Sequence, residues 1–105
     1  MAFAGRASIN EFLARLSVES YPERVTAIAY YQLHNQQSQG VTLEDFRRAF
    51  SVARIPGPKN LSDVIAKCIR RGLLMDAESR DGQRAWQITQ TGERSIEERL
   101  GRTQA

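Results

Sequence analysis

Lys59, Asn60, Ser62, Lys67, Arg70 and Arg71 lie within one short segment of this chain, and Arg80 and Arg84 follow it closely. Lysine and arginine have the charge and reach to contact phosphate oxygens, and arginine adds a planar fork that can pair with two acceptors at once. Serine and asparagine add single hydrogen bonds to a phosphate or a base edge. Such a set suits a polyanion. The blander reading is a solvated helix end, because cations in the last turn of any helix stabilise its dipole. Asp63, in the same segment, would repel phosphate and is assigned to helix capping instead.

Other chemistry has little to stand on. The chain carries one cysteine, Cys68, and one histidine, His34, so no metal-ligand cluster is expected. There is no glycine-rich phosphate loop, and no motif gathers serine, histidine and an acid. Accordingly no catalytic residue, metal ligand or cofactor is assigned, and an enzyme is not expected. Trp86, Tyr30 and Tyr31 could stack on single-stranded bases, but their positions in apolar patterns make them core. Cys68 falls on an apolar helical face and is read as a buried, inert thiol. His34 ends a helix and is read as capping it.

At 105 residues, 41% of them apolar, the chain is expected to form one domain, 1–105, with a modest core. A net charge of +3 permits a polyanionic partner without requiring one. A lone cysteine cannot make an internal disulfide, which fits a reducing, cytoplasmic setting. No apolar run approaches the ~20 residues needed to span a bilayer, and residues 1–12 lack a secretory apolar core. Neither membrane insertion nor secretion is expected.

The elements that must position the basic segment follow from periodicity and caps. Ile9, Phe12, Leu13 and Leu16 predict a short amphipathic helix over 8–17. Ser20 and Glu23 form a capping box, with Pro22 in the first turn, for a second helix running to about His34. That helix is apolar nearly all round and should lie at the centre. The polar stretch 35–40 is a loop. Thr42 and Asp45 cap a third helix carrying Leu43, Phe46, Ala49, Phe50 and Ala53 to about Arg54.

The two prolines and the glycine of 55–59 forbid helix there. Asn60 caps a fourth helix, with Leu61, Val64, Ile65 and Cys68 on one face and Asp63, Ala66, Lys67 and Arg70 opposite. Gly72 ends it. Segments 73–78 and 84–89 flank a turn at 79–83 whose Asp81-Gly82 pair signals a β-hairpin. A last helix is expected over 91–100 with Ile96 and Leu100 as its apolar positions, and 101–105 is expected to fray.

Helix, helix, turn, helix, two-stranded ribbon, helix: this order resembles a winged helix-turn-helix domain of the broad class that includes MarR-like and PadR-like bacterial regulators. The resemblance covers 20–100. Its most specific part is Asn60, Leu61 and Ser62, then Arg71, Gly72, Leu73 and Leu74, then Trp86, Gln87, Ile88 and Thr89, then Thr91 and Gly92. The fold it implies is mainly α with a small β-hairpin wing, the core spanning 20–90. The proline-rich segment before the fourth helix is longer than the tight turn of the simplest members.

By that resemblance the fourth helix would enter the major groove of double-stranded DNA. Lys59, Asn60, Ser62, Lys67, Arg70, Arg71 and Arg84 would contact it, and Arg80 at the wing tip would reach the minor groove or its backbone. The expected function is a sequence-specific transcriptional regulator. Phe12, Leu13, Leu16, Ile96 and Leu100 on the terminal helices would pair two copies into a homodimer, with recognition helices one DNA turn apart. Their alternative is to fold back on their own domain. A winged helix used as a protein-protein interaction module is the second functional reading, because one fold serves many functions.

Overall fold

The computed structural model describes residues 9–35 and 40–104. Five helices pack around a small antiparallel sheet: α1 Ile9–Leu16, α2 Tyr21–Asn35, β1 Val41–Thr42, α3 Leu43–Ala53, α4 Leu61–Arg70, β2 Leu74–Arg80, β3 Gln83–Ile88 and α5 Gln90–Gln104. The mainly helical chain with a β-hairpin is as expected. The expected loop at 35–40 lies largely outside the described residues.

α2 is the centre. Val25, Thr26, Ala27, Ile28 and Ala29 are buried in unbroken succession, which requires neighbours on every side, and α2 indeed touches the other four helices and β3. Its start is the expected capping box: the Glu23 N–H donates to Ser20 Oγ at 3.3 Å, and the Ser20 N–H donates to Glu23 Oε1 at 3.3 Å. The buried Thr26 hydroxyl returns to the Pro22 carbonyl one turn back, at 2.8 Å, so no polar atom is stranded there.

The terminal helices fold onto this core, the alternative to a dimer face. Phe12 is 0% exposed and Leu13, Leu16 and Ile96 are at most 3% exposed within a single chain. Phe12 stacks on Tyr30 with ring centroids 5.9 Å apart and planes 6° apart, and tilts against Tyr31 at 5.6 Å. Leu100 is half-buried against the same cluster. Side chains already enclosed by their own chain offer a second copy no apolar area. α5 also runs four residues further than expected, to Gln104, with Gly101 inside the helix instead of stopping it.

β1 was not foreseen. Two residues cannot show a period of two, yet Val41 pairs with Trp86 and Thr42 with Ala85, giving the sheet order β1-β3-β2. Thr42 also caps α3: its hydroxyl accepts the Asp45 N–H, and Asp45 Oδ2 accepts the Thr42 N–H, both at 3.1 Å. The hairpin turn is tighter than the expected 79–83. Asp81 (φ 52°) and Gly82 (φ 77°) both sit at positive φ, the requirement of a two-residue type I′ turn.

α4 ends as expected at Gly72, whose φ of 76° is the left-handed one. The Gly72 N–H reaches back to the Ile69 carbonyl at 3.0 Å and the Leu73 N–H to the Cys68 carbonyl at 2.9 Å, a Schellman motif that turns the chain into β2. Thr89 locks this corner to α5. Its hydroxyl donates to the Gly72 carbonyl at 2.5 Å and accepts the Gly92 N–H at 3.0 Å, while its own N–H donates to the Leu73 carbonyl at 3.0 Å.

Candidate nucleic-acid interface

α4 is anchored by its apolar stripe. Leu61, Val64, Ile65 and Cys68 are buried, so rotation of the helix is fixed and Ser62, Asp63, Lys67 and Arg70 are left exposed. Asn60 caps it: its side-chain oxygen accepts the Asp63 N–H at 3.1 Å. That assigns the Asn60 oxygen to the helix end, and puts the Asp63 carboxylate beside the positive end of the helix dipole. Lys59 before the helix and Arg71 at its C-cap are exposed as well.

Lys59, Lys67, Arg70 and Arg71 form no salt bridge with any described residue. Arg47, which sequence reasoning did not single out, joins them: it is exposed on α3 and lines a shallow groove with Ser51, Gly57, Pro58 and Lys59. Only the packing angle between α3 and α4 places Arg47 there, and periodicity carries no information on that angle. The 55–59 loop that sets the angle is held from α2, where the Tyr21 hydroxyl donates to the Pro56 carbonyl at 2.9 Å.

The hairpin arginines behave differently. Arg80 does not stand out from the tip; its Nη1 donates to the Gly40 carbonyl at 2.7 Å and to Asp45 Oδ2 at 3.0 Å. It therefore ties the hairpin to the start of α3 through Nη1. Gly40 makes room for it, since a Cβ there would come within 3.3 Å of Arg80 Cδ and 3.2 Å of Ala85 Cβ. Arg84 donates from Nε and Nη2 to Asp76 Oδ1 at 3.1 and 2.9 Å and lies 5.2 Å from the Trp86 ring centroid. Arg84 remains solvent-exposed, but with its charge paired.

Trp86 is 7% exposed and tilts against Phe46 at 6.5 Å, so it belongs to the core and offers no stacking face. Its Nε1–H is buried without an acceptor among the described residues, at a cost of about 1–3 kcal/mol. Cys68 is fully buried. Burial pushes its thiol pKa up, against smaller lowering effects from Thr26 and Arg71, and the S–H donates to the Pro22 carbonyl at 3.4 Å. It is the inert thiol expected.

His34, expected to cap its own helix, reaches across to α5. Its Nε2 lies 2.9 Å from Glu93 Oε1 on α5, and its ring is 4.3 Å from that of Tyr30. Glu97 completes a group in which ligand atoms of all three residues lie within 4.8 Å of one another. Counting cysteine and histidine alone passes over such a group, because its carboxylates come from a distant helix. No described helix is long and apolar enough to cross a membrane. No family model, curated protein or solved structure matches the chain.

Proposed function

We propose that the chain is a winged helix-turn-helix protein that binds double-stranded DNA and regulates transcription, with α3 and α4 as the helix-turn-helix, α4 in the major groove and the β2-β3 hairpin as the wing. The observation that carries the reading is the clustering of unpaired cations on and beside one helix. Arg80, Arg84 and Arg99 are engaged by carboxylates of their own chain, whereas Lys59, Lys67, Arg70 and Arg71 cluster on and beside one anchored helix without a counter-ion among the described residues. Exposed cations held in fixed register and left unpaired are what a phosphate backbone exchanges for its counterions.

In this reading Lys59, Lys67 and Arg71 contact phosphates, with Arg47 extending the track. Arg70, on the exposed face of α4, reads a base edge, where a bidentate pair with guanine is the favourable geometry. Ser62 supports them near the helix start. Arg80 fixes the wing. Phe12, Leu13, Leu16 and Ile96 are used by the chain's own core, so the unit proposed here is one chain on one half-site, and any two-fold pair would have to use other surfaces.

Fluorescence anisotropy of labelled duplexes across a salt series tests the proposal. Each phosphate contact removed should reduce the slope of log K against log salt by about 0.9, so Lys67→Ala and Arg71→Ala weaken binding to all duplexes alike. Arg70→Ala should cost about 1–3 kcal/mol on a selected site and relax one position. Wild-type protein that shows no salt-dependent binding to any duplex refutes the reading and leaves the protein-interaction module in its place.

A further inference from the structure

Glu93 and Glu97 stand one turn apart on α5, and like charges at that spacing destabilise a helix. Here they face the end of α2, where His34 and Tyr30 receive them. The Tyr30 hydroxyl donates to Glu97 Oε2 at 3.4 Å, and the His34 ring packs on the Tyr30 ring at 4.3 Å. One tyrosine thus orients two of the three groups, the part that outer partners play around metal-binding side chains.

We propose that His34, Glu93 and Glu97 form a site for a divalent transition-metal ion, with zinc the best match, that fastens the end of α2 to the start of α5. The donor atoms already lie within 4.8 Å of one another, and His34 Nε2 and Glu93 Oε1 are 2.9 Å apart. A tetrahedral zinc ion with bonds of about 2.0–2.2 Å spaces its ligands roughly 3.3–3.5 Å apart, a change that side-chain rotation supplies. Two carboxylates balance the charge of the ion. The imidazole selects against calcium and magnesium, which take oxygen ligands, and favours zinc and its neighbours. His34 and Glu97 are exposed, so water completes the coordination.

The Nε2 lone pair must go to the metal. Cys68, on α4, is fully buried against Pro22 and Thr26 near the start of α2 and takes no part.

Calorimetric titration of the untagged chain with zinc, and cobalt absorption spectra, provide the test. One equivalent of zinc should bind with a dissociation constant on the order of 10 μM and raise the melting temperature. Cobalt should give visible ligand-field bands without a thiolate charge-transfer band. His34→Ala and Glu97→Gln should each weaken binding at least about tenfold, and Glu97→Gln keeps the side-chain volume, so it should fold normally. Tyr30→Phe, which keeps the ring, should weaken binding by a smaller factor. Absence of saturable one-to-one binding below about 1 mM zinc, or wild-type affinity in both His34→Ala and Glu97→Gln, overturns the site and leaves only a His34–Glu93 ion pair.

Discussion

Gly92 tests the corner where α4, the hairpin and α5 meet. A Cβ on Gly92 would lie 2.5 Å from the Leu73 carbonyl oxygen and 2.7 Å from Ile88 Cγ1. Carbon and oxygen rest at roughly 3.3–3.6 Å and two carbons at about 3.5–4.0 Å, so alanine would intrude by about 1 Å on two sides. Neither neighbour can yield cheaply. The Leu73 carbonyl accepts the Thr89 N–H, and Ile88 is a buried strand residue. Overpacking costs about 1–3 kcal/mol, and straining the Thr89–Leu73 hydrogen bond about 1 kcal/mol more. Alanine regains about 1 kcal/mol of helix propensity in return.

The net loss for Gly92→Ala is about 1–3 kcal/mol, or a fall in Tm of roughly 5–20 °C for a domain of this size. Urea and thermal unfolding followed by circular dichroism measure it. Gly101→Ala, in the same helix with nothing within 4 Å of its Cβ position, is the control and should be stabilising by up to about 1 kcal/mol. The reasoning fails if Gly92→Ala is as stable as wild type, or if both variants shift in the same direction.

Arg80→Ala should be destabilising by about 0.5–1.5 kcal/mol, since it removes a hydrogen bond to the Gly40 carbonyl and a partly exposed ion pair with Asp45; its DNA salt slope should match wild type, and a reduced slope would show that Arg80 reaches DNA after all. Glu23 should contribute to the acid limb of stability. Desolvation raises its pKa, but the N–H groups of Ser20 and Glu19, the Arg99 guanidinium and the Ser20 hydroxyl outweigh it, and the net shift is downward. A folded pKa below the unfolded one adds stability above the ordinary carboxylate range that is lost as pH falls through the folded value, so Glu23→Gln should flatten Tm against pH on the acid side. An unchanged acid limb would show that Glu23 does not control it.

What the sequence disclosed was mainly local. Ser20 with Glu23, Thr42 with Asp45, and Asn60 ahead of Asp63 each announce a helix start within four residues, and each cap forms. Gly72 and Asp81-Gly82 announce backbone at positive φ, and it occurs there. The apolar stripe of α4 foretold which of its residues stay in water. Nonlocal facts were hidden. Val41 and Thr42 are too few to show a strand period and acquire it only by pairing with Trp86 and Ala85. Arg80 meets Asp45, and His34 meets Glu93, across separations no motif spans. Burial of Phe12 and Ile96 tells apart a folded-back helix from a dimer face, and an amphipathic pattern looks the same in both cases.

Arg99 joins the two extremities of the fold. Its Nη1 donates to the Leu16 carbonyl at 3.2 Å, at the end of α1, and its Nη2 pairs with Glu23 at the start of α2. An eight-residue helix such as α1 has no stability of its own in water, so it persists only while α2, α3 and α5 hold it. The amides of α1 and α5 are therefore joined in one cooperative opening, released together and well before those of α2. A protease that catches α5 open should gain α1 in the same event.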